Sequence, residues 1–248
     1  SVRARGQYRP SVGAVDARTG SVLALFDDTR YSRVPGGVYP LSNDGIGPEG
    51  TEQVFSLPYA DTGGATSNDE GVFTCSGLLA TTALAGPYIK VSDKCGAVSQ
   101  SVSCPRDLDL SAGSGTDCTV PPGSSPGNTH AARSSFYHLN RVMEKGRAWL
   151  PSNTWLQSQV TDNVNISNTC NAYWNGSVNF FRSGGGCRNT GELQGVFVHE
   201  WGHGLDQNDG GGYDNPSERC AGIVTLFESH DACVGRGFFM SGTYGVHG

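Results

Sequence analysis

The chain has 248 residues, enough for one domain with a sizeable buried core. It carries 17 Lys and Arg against 23 Asp and Glu, and this net charge of −6 argues against a phosphate-binding surface. No run approaches the roughly 18 consecutive apolar residues of a membrane helix. We therefore expect neither nucleic acid nor membrane among its partners.

Short strand-like runs dominate the first part of the chain. Runs at 21–26, 37–39 and 88–91 are rich in β-forming residues and are separated by Gly, Pro, Asn and Asp clusters. Residues 111–127 are rich in Gly, Ser and Pro, which predicts a surface connection rather than a helix or a central strand. The sequence thus predicts an irregular β-rich region over residues 1–126.

Eight cysteines occur, an even number with no Cys-x-x-Cys pair. This spacing lacks the signatures of zinc ribbons and thioredoxin-type motifs, so we predict four disulfides and a secreted, extracellular protein. Pairing in chain order would close four short loops, although eight cysteines allow many other pairings. The predicted bridges use Cys75, Cys95, Cys104, Cys118, Cys170, Cys187, Cys220 and Cys233.

Helical patterns appear after residue 126. Apolar residues recur at three- and four-residue steps over 128–149 and predict a first helix. A strand-like run at 177–181 follows, and a second helix is predicted to start near Thr190. Asn215 and Pro216 are suited to the cap and first position of a third helix. The predicted fold class is α+β, with residues 127–248 as its second region.

The second predicted helix carries the motif His199-Glu200-Trp201-Gly202-His203. Histidines four residues apart project from one helix face, so both imidazoles can reach a single metal ion, and neutral imidazole suits Zn²⁺. Glu200 points away from the ligand direction, where its carboxylate can accept a proton from a metal-bound water. We therefore predict a zinc site with His199 and His203 as ligands and Glu200 as general base.

A catalytic zinc site needs a third protein ligand, and two residues are candidates. Asp209 follows His203 by six residues, and Glu218 follows it by fifteen. The Gly-rich turn at 210–212 would let the third helix fold back against the second and direct Glu218 to the metal. We favour Glu218 and keep Asp209 as the alternative.

Calcium is a second candidate cofactor, because carboxylates are its usual ligands. Neither candidate group has the spacing of an EF-hand, and solvated loop aspartates are the simpler interpretation. The two groups are Asp107, Asp109 and Asp117, and Asp206, Asp209 and Asp214.

The run Asn171-Ala-Tyr-Trp-Asn-Gly176, the strand after it, the motif 199–203 and Glu218 together resemble the thermolysin and fungalysin group of zinc metallopeptidases, the gluzincin type. The resemblance is specific over about residues 128–235. It is faint near the N-terminus, where residues 1–30 include a segment similar to a hairpin of fungalysin propeptides.

The resemblance implies a thermolysin-like catalytic lobe that consists of an edge strand, the His-Glu-x-x-His helix and a Glu-bearing helix. It implies endopeptidase activity on peptide or protein substrates, with zinc held by His199, His203 and Glu218. By the same resemblance, Asn171 and Ala172 would bind the substrate backbone as an added strand. Tyr213 would donate to the developing oxyanion.

Three departures from the family motivate an alternative. Gly222 stands where the family has an aspartate that orients a zinc histidine, and the spacer before Glu218 is shorter than in thermolysin. The family also continues into a helical lobe, so we expect residues 127–248 to be an incomplete catalytic lobe. It would associate with a further C-terminal segment or self-assemble. The alternative function is a secreted structural or assembly-forming protein that keeps a degenerate peptidase scaffold without turnover.

Overall fold

The computed structural model describes residues 11–27, 31–75, 77–111, 115–211, 218–231 and 233–241. These ranges form a mixed α+β fold, as predicted. Its helices are α1 (His130–Trp149), α2 (Gln194–Asn208) and α3 (Glu218–Ser229). Its strands are β1 (Ser11–Val15), β2 (Val22–Asp27), β3 (Tyr31–Arg33), β4 (Pro35–Val38), β5 (Gln53–Ser56), β6 (Val72–Thr74), β7 (Leu79–Thr82), β8 (Ile89–Asp93), β9 (Gln100–Ser103), β10 (Val160–Ile166), β11 (Ala172–Trp174) and β12 (Val178–Phe181).

A four-stranded sheet supports the second half of the chain. Its strand order is β11-β12-β10-β8, with β10 parallel to both β12 and β8, and β11 antiparallel at one edge. Contacts from α1 reach β8 and β10, whereas α2 contacts β11 and β12. The core around these elements buries large side chains completely, among them Phe136, Leu139, Phe180, Phe197 and Trp201. The sheet edge at β11 therefore lies beside α2.

The first half is irregular and β-rich, as the short runs predicted. Four separate two-stranded antiparallel sheets pair β1 with β2, β3 with β6, β4 with β5 and β7 with β9. The strand β8, before the predicted boundary near residue 126, pairs with β10 after it. The boundary itself stays a prediction. No helix in the described ranges is both long and apolar enough to cross a membrane.

The second helix begins later than the sequence pattern predicts. Thr190–Glu192 forms a short 3-10 turn, and α2 begins at Gln194. The side chain of Asn189 caps the turn, because its Oδ1 accepts a hydrogen bond from the Gly191 amide at 2.8 Å. The first helix agrees closely with its prediction: Thr129 caps α1 by accepting from the Ala132 amide.

Three disulfides form in the described part of the chain, where four were predicted. Pairing in chain order is right for Cys170–Cys187 and wrong for the first four cysteines, which cross as Cys75–Cys104 and Cys95–Cys118. Antiparallel pairing of β7 with β9 explains the Cys75–Cys104 bridge, because it brings the residues before β7 close to those after β9. A bridge from Cys220 to Cys233 is not among the three. Burial and a hydrogen bond to the Asp206 carboxylate raise the pKa of the Cys220 thiol to about 11.

A buried polar contact joins α1 to β10. The Ser135 Oγ atom lies 2.7 Å from the Ala131 carbonyl and 2.5 Å from Asp162 Oδ2. A hydroxyl has one proton, so a Ser135 that donates to Ala131 can only accept from a protonated Asp162. Complete burial, together with the negative charge of Asp93, raises the pKa of Asp162 to about 8. The side chain is therefore a neutral acid at physiological pH.

This buried acid predicts a pH-dependent stability. The folded protein keeps a proton on Asp162 up to about pH 8, whereas the unfolded carboxyl loses it near pH 3.8. The free energy of unfolding should therefore fall as the pH rises between these values, by up to about 1.4 kcal/mol per pH unit. In Asp162→Asn the amide can still donate to Ser135. The free energy of unfolding of this variant, measured with urea from about pH 5 to 8, should depend less steeply on pH. Asp109→Asn, on an exposed loop, should keep the original slope; equal slopes in both variants would contradict the assignment.

Candidate metal centre

The site lies where α2 and α3 pack against each other. Gly202 on α2 makes the approach possible: a Cβ atom there would lie 2.8 Å from the Ala221 Cα atom of α3, too close for any side chain. Gly204, on the same helix, similarly accommodates the rings of Trp155 and Trp174. The close packing of α3 places Glu218, in its first turn, next to the two histidines of α2.

His199, His203 and Glu218 converge on one point, as predicted. The Nε2 atom of His199 lies 3.0 Å from Glu218 Oε2 and 3.2 Å from His203 Nε2, and His203 Nε2 lies 3.6 Å from Glu218 Oε1. Ligand atoms at tetrahedral corners around zinc are about 3.3 Å apart, given bond lengths of about 2.0–2.1 Å. The three residues therefore fit a tetrahedral metal ion with one open position. Within the described residues they are the group of this kind that could hold a metal.

The imidazole of His199 is in the protonation state that a metal requires. Burial and the neighbouring His203 lower the pKa of His199, so its ring is neutral near pH 7. The Nδ1 atoms of both rings are buried and make no hydrogen bond within the described residues. Glu218 is the exposed ligand of the set, with 82% of its side-chain surface accessible. Within the described residues, the histidines thus have none of the outer partners that usually orient metal ligands.

Glu200 is buried next to the three candidate metal ligands, with 6% of its surface exposed. Burial, together with the negative charge of Glu218, raises the pKa of Glu200 to about 8. A raised pKa marks a carboxyl group that is suited to proton transfer near neutral pH. Glu200 is not among the three converging residues, and its role as general base stays a prediction.

Two cavities meet at this group. One, of about 490 Å³, is mostly apolar, and the other, of about 470 Å³, is more polar. Both are lined by Asn171, Ala172, His199, Glu200 and Glu218. The apolar cavity adds Cys170, Gly185, Cys187, Val196, Val234, Gly235, Phe238 and Phe239, and the polar one adds Tyr173, Trp174 and His203. The cleft therefore extends to both sides of the candidate metal position.

The predicted substrate-binding residues lie at the edge strand that borders this cleft. Ala172 begins β11 and pairs with Phe180 of β12, and the other side of β11 has no strand partner in the sheet. The carbonyl of Asn171 accepts a hydrogen bond from Thr190 Oγ1 at 3.0 Å. Trp174 donates from its indole to Gln207 of α2. An unpaired strand edge can accept an extended peptide through main-chain hydrogen bonds.

Among the described residues, neither Asp209 nor the set Asp107, Asp109 and Asp117 belongs to a group that could hold a metal ion. Asp209 follows α2 and accepts a hydrogen bond from the Gly211 amide. Asp107 accepts from the Arg33 amide, Asp109 accepts from Ser111, and Asp117 accepts from Ser183 and Asn189. Asp107, Asp109 and Asp117 thus have separate hydrogen-bond donors, and a calcium site stays a prediction. Tyr213, Asp214, Asn215 and Pro216 lie outside the described residues.

Sequence reasoning missed most residues that line the apolar cavity. Val196 precedes His199 by three residues, so helical spacing alone could have placed it on the same face. Phe238 and Phe239 carried no such signal, because they reach the cleft through pairing of their segment with Cys187.

Gly222 leaves an open position on α3. It follows Glu218 by four residues and so lies on the same face of α3, where a Cβ atom would meet nothing within 4 Å. We expect Gly222→Asp to supply an acceptor to an imidazole Nδ1 and to raise zinc affinity about tenfold. Gly222→Ala is the matched control, since it gains helix propensity without an acceptor. Competition with a chromophoric chelator measures the affinity, and an equal gain in both variants would contradict this role.

No family model matches this chain, and a search of curated proteins finds no significant relative. The function of this chain is therefore inferred from the residues of the site.

Proposed function

We propose that this chain is a zinc-dependent endopeptidase of the thermolysin and fungalysin kind, acting outside the cell. The observation that carries the proposal is the convergence of His199, His203 and Glu218 beside a buried Glu200. Two histidines and a glutamate with an open fourth position are a donor set of catalytic zinc sites. The three disulfides suggest an extracellular or secreted protein.

The peptide would lie along the unpaired edge of β11, with main-chain hydrogen bonds to Asn171 and Ala172. Its side chains would enter the two cavities on either side of the reacting bond. Zinc, when bound by the three ligands, supplies a Lewis acid that lowers the pKa of water and polarises a carbonyl group. Glu200 then accepts the proton of the attacking water and transfers it to the leaving amine. Tyr213 remains a proposed donor to the oxyanion.

Removal and restoration of the metal test this function. Dialysis against a chelator should abolish cleavage of an internally quenched peptide, and one equivalent of Zn²⁺ should restore it, whereas Ca²⁺ should not. We expect the metal to leave readily, because Glu218 is exposed. Native mass spectrometry counts the zinc bound per chain. Cleavage that survives complete loss of metal would contradict the proposal.

The second candidate function is a scaffold that binds metal without turnover. The Nδ1 atoms of His199 and His203 have no hydrogen-bond partner among the described residues. This favours the scaffold, because loss of outer partners typically costs ten- to a hundredfold in metal affinity or activity. One bound zinc without peptide cleavage, under conditions that leave the protein folded, would support the scaffold over the enzyme.

A further inference from the structure

A disulfide forms part of the lining of the apolar cavity. Cys170 and Cys187 are bridged, and both line this cavity together with His199, Glu200 and Glu218. Neither of the other two disulfides contributes to either cavity of the cleft. The Cys170–Cys187 bridge is thus the one among the three that adjoins the candidate metal centre.

The bridge connects three segments that shape the cleft. Cys170 directly precedes Asn171 and the edge strand β11. Cys187 closes a tight turn through paired backbone hydrogen bonds with Gly184, each 2.9 Å long. It also forms a β-bridge with Phe239, flanked by hydrogen bonds from Arg188 to the Phe238 carbonyl and from Met240 to the Gly186 carbonyl. The disulfide therefore fixes the edge strand relative to the segment that carries Phe238 and Phe239.

The edge strand has few other restraints at this end. β11 has three residues and pairs with one neighbour, β12. Before its first pair, Ala172 with Phe180, the restraint on the backbone is the hydrogen bond from Thr190 to the Asn171 carbonyl. Asn171 is exposed, whereas Ala172 is buried and Trp174 packs against Trp155. Local opening is therefore opposed least at this end of the strand, next to Cys170.

We propose that the Cys170–Cys187 disulfide is a positioning element for peptide binding, and that its reduction weakens substrate binding while leaving the metal ligands in place. This inference rests on the proposed peptidase function. His199 and His203 are on α2 and Glu218 is on α3, so the bridge supports the peptide-binding edge and the cavity wall rather than the ligands.

The bridge is open to thiol exchange at one end. Cys170 is exposed, whereas Cys187 is 1% exposed. The thiolate of a dithiol reductant would attack the Cys170 sulfur, break the S–S bond and release Cys187 as a thiolate that takes up a proton. The second thiol of the reductant then displaces Cys170, so the reductant becomes a disulfide and both cysteines become thiols. Reoxidation would restore the cleft.

The test compares two double variants, Cys170→Ser/Cys187→Ser and Cys75→Ser/Cys104→Ser. The control removes a bridge outside the cleft that spans 29 residues rather than 17, so it loses at least as much restraint on the unfolded chain. Each protein is measured for zinc per chain, for kcat and KM on a quenched peptide, and for amide hydrogen exchange over residues 172–174. Wild-type protein equilibrated in glutathione redox buffers provides the same comparison if a variant fails to fold.

We expect the Cys170/Cys187 variant to retain one zinc, to raise KM about tenfold with kcat within about threefold, and to exchange faster over residues 172–174. The control should match the wild type in these values. A wild-type KM with wild-type exchange, or an equal effect in both variants, would overturn the proposal. If no form cleaves peptides, the peptidase function fails, and hydrogen exchange alone still decides whether the bridge positions β11.

Discussion

Replacement of Glu200 by glutamine is expected to lower kcat for peptide cleavage by about a thousandfold. Glutamine keeps the shape of the buried side chain but cannot accept the proton of the attacking water. Zinc content should stay at that of the wild type, because Glu200 is not among the converging ligand atoms. The measurement is kcat on a quenched peptide beside metal analysis of the same sample.

The matched control for this variant is Glu144→Gln. Glu144 lies on α1 and pairs with Arg141 at 3.1 Å, outside both cavities of the cleft. The same change of chemistry there should leave kcat within about twofold, since partly exposed ion pairs contribute little. If the Glu200 variant kept its activity, another residue would have to serve as the base.

The second large effect is expected when Glu218, the proposed third zinc ligand, is replaced. Glu218→Ala should reduce zinc affinity by more than the hundredfold that outer partners contribute, because it removes an atom from the metal's own coordination set. Asp209→Ala should leave the affinity unchanged, since that carboxylate accepts from the Gly211 amide after α2. Native mass spectrometry at graded zinc concentrations compares the two. The opposite order of effects would reinstate Asp209 as the ligand.

Both variants require a check that the fold is intact. Glu218 is exposed, and its described side-chain contacts are with the two histidines, so its loss should leave the far-UV circular dichroism unchanged. Asp209 is equally accessible at the end of α2. The pair is therefore matched in exposure and in charge, and differs in whether the carboxylate lies at the candidate metal position.

Local patterns predicted the parts of this molecule that depend on neighbours in sequence. The apolar spacing of Phe136, Leu139 and Met143 predicted α1, and the spacing of His199 and His203 predicted a shared ligand direction on α2. Helical geometry fixes these relations over a few residues, so no tertiary information is required. The convergence of Glu218 was also predicted, from the glycine-rich turn before it.

Relations between distant segments could not be predicted in the same way. The parallel pairing of β8 with β10 joins segments about seventy residues apart, and the Cys75–Cys104 bridge follows from the pairing of β7 with β9. Hydrophobic periodicity identifies a strand but not its partner. The start of α2 was predicted too early because the side chain of Asn189 caps a 3-10 turn in the place where Thr190 was expected to cap the helix.

The packing of α3 against α2 has a consequence for the stability of the site that the two helices form. The described residues that α3 buries are Ala221, Val224 and Thr225, whereas Ile223, Leu226 and Phe227 are exposed. An ion held by Glu218 and the α2 histidines would therefore link the first turn of α3 to α2, adding free energy to the close packing of these two helices at Gly202 and Ala221. Because ligand binding to the folded state alone stabilises that state, the concentration of free metal would govern how firmly α3 stays docked. Metal supply would then set the lifetime of the assembled cleft as well as its reactivity.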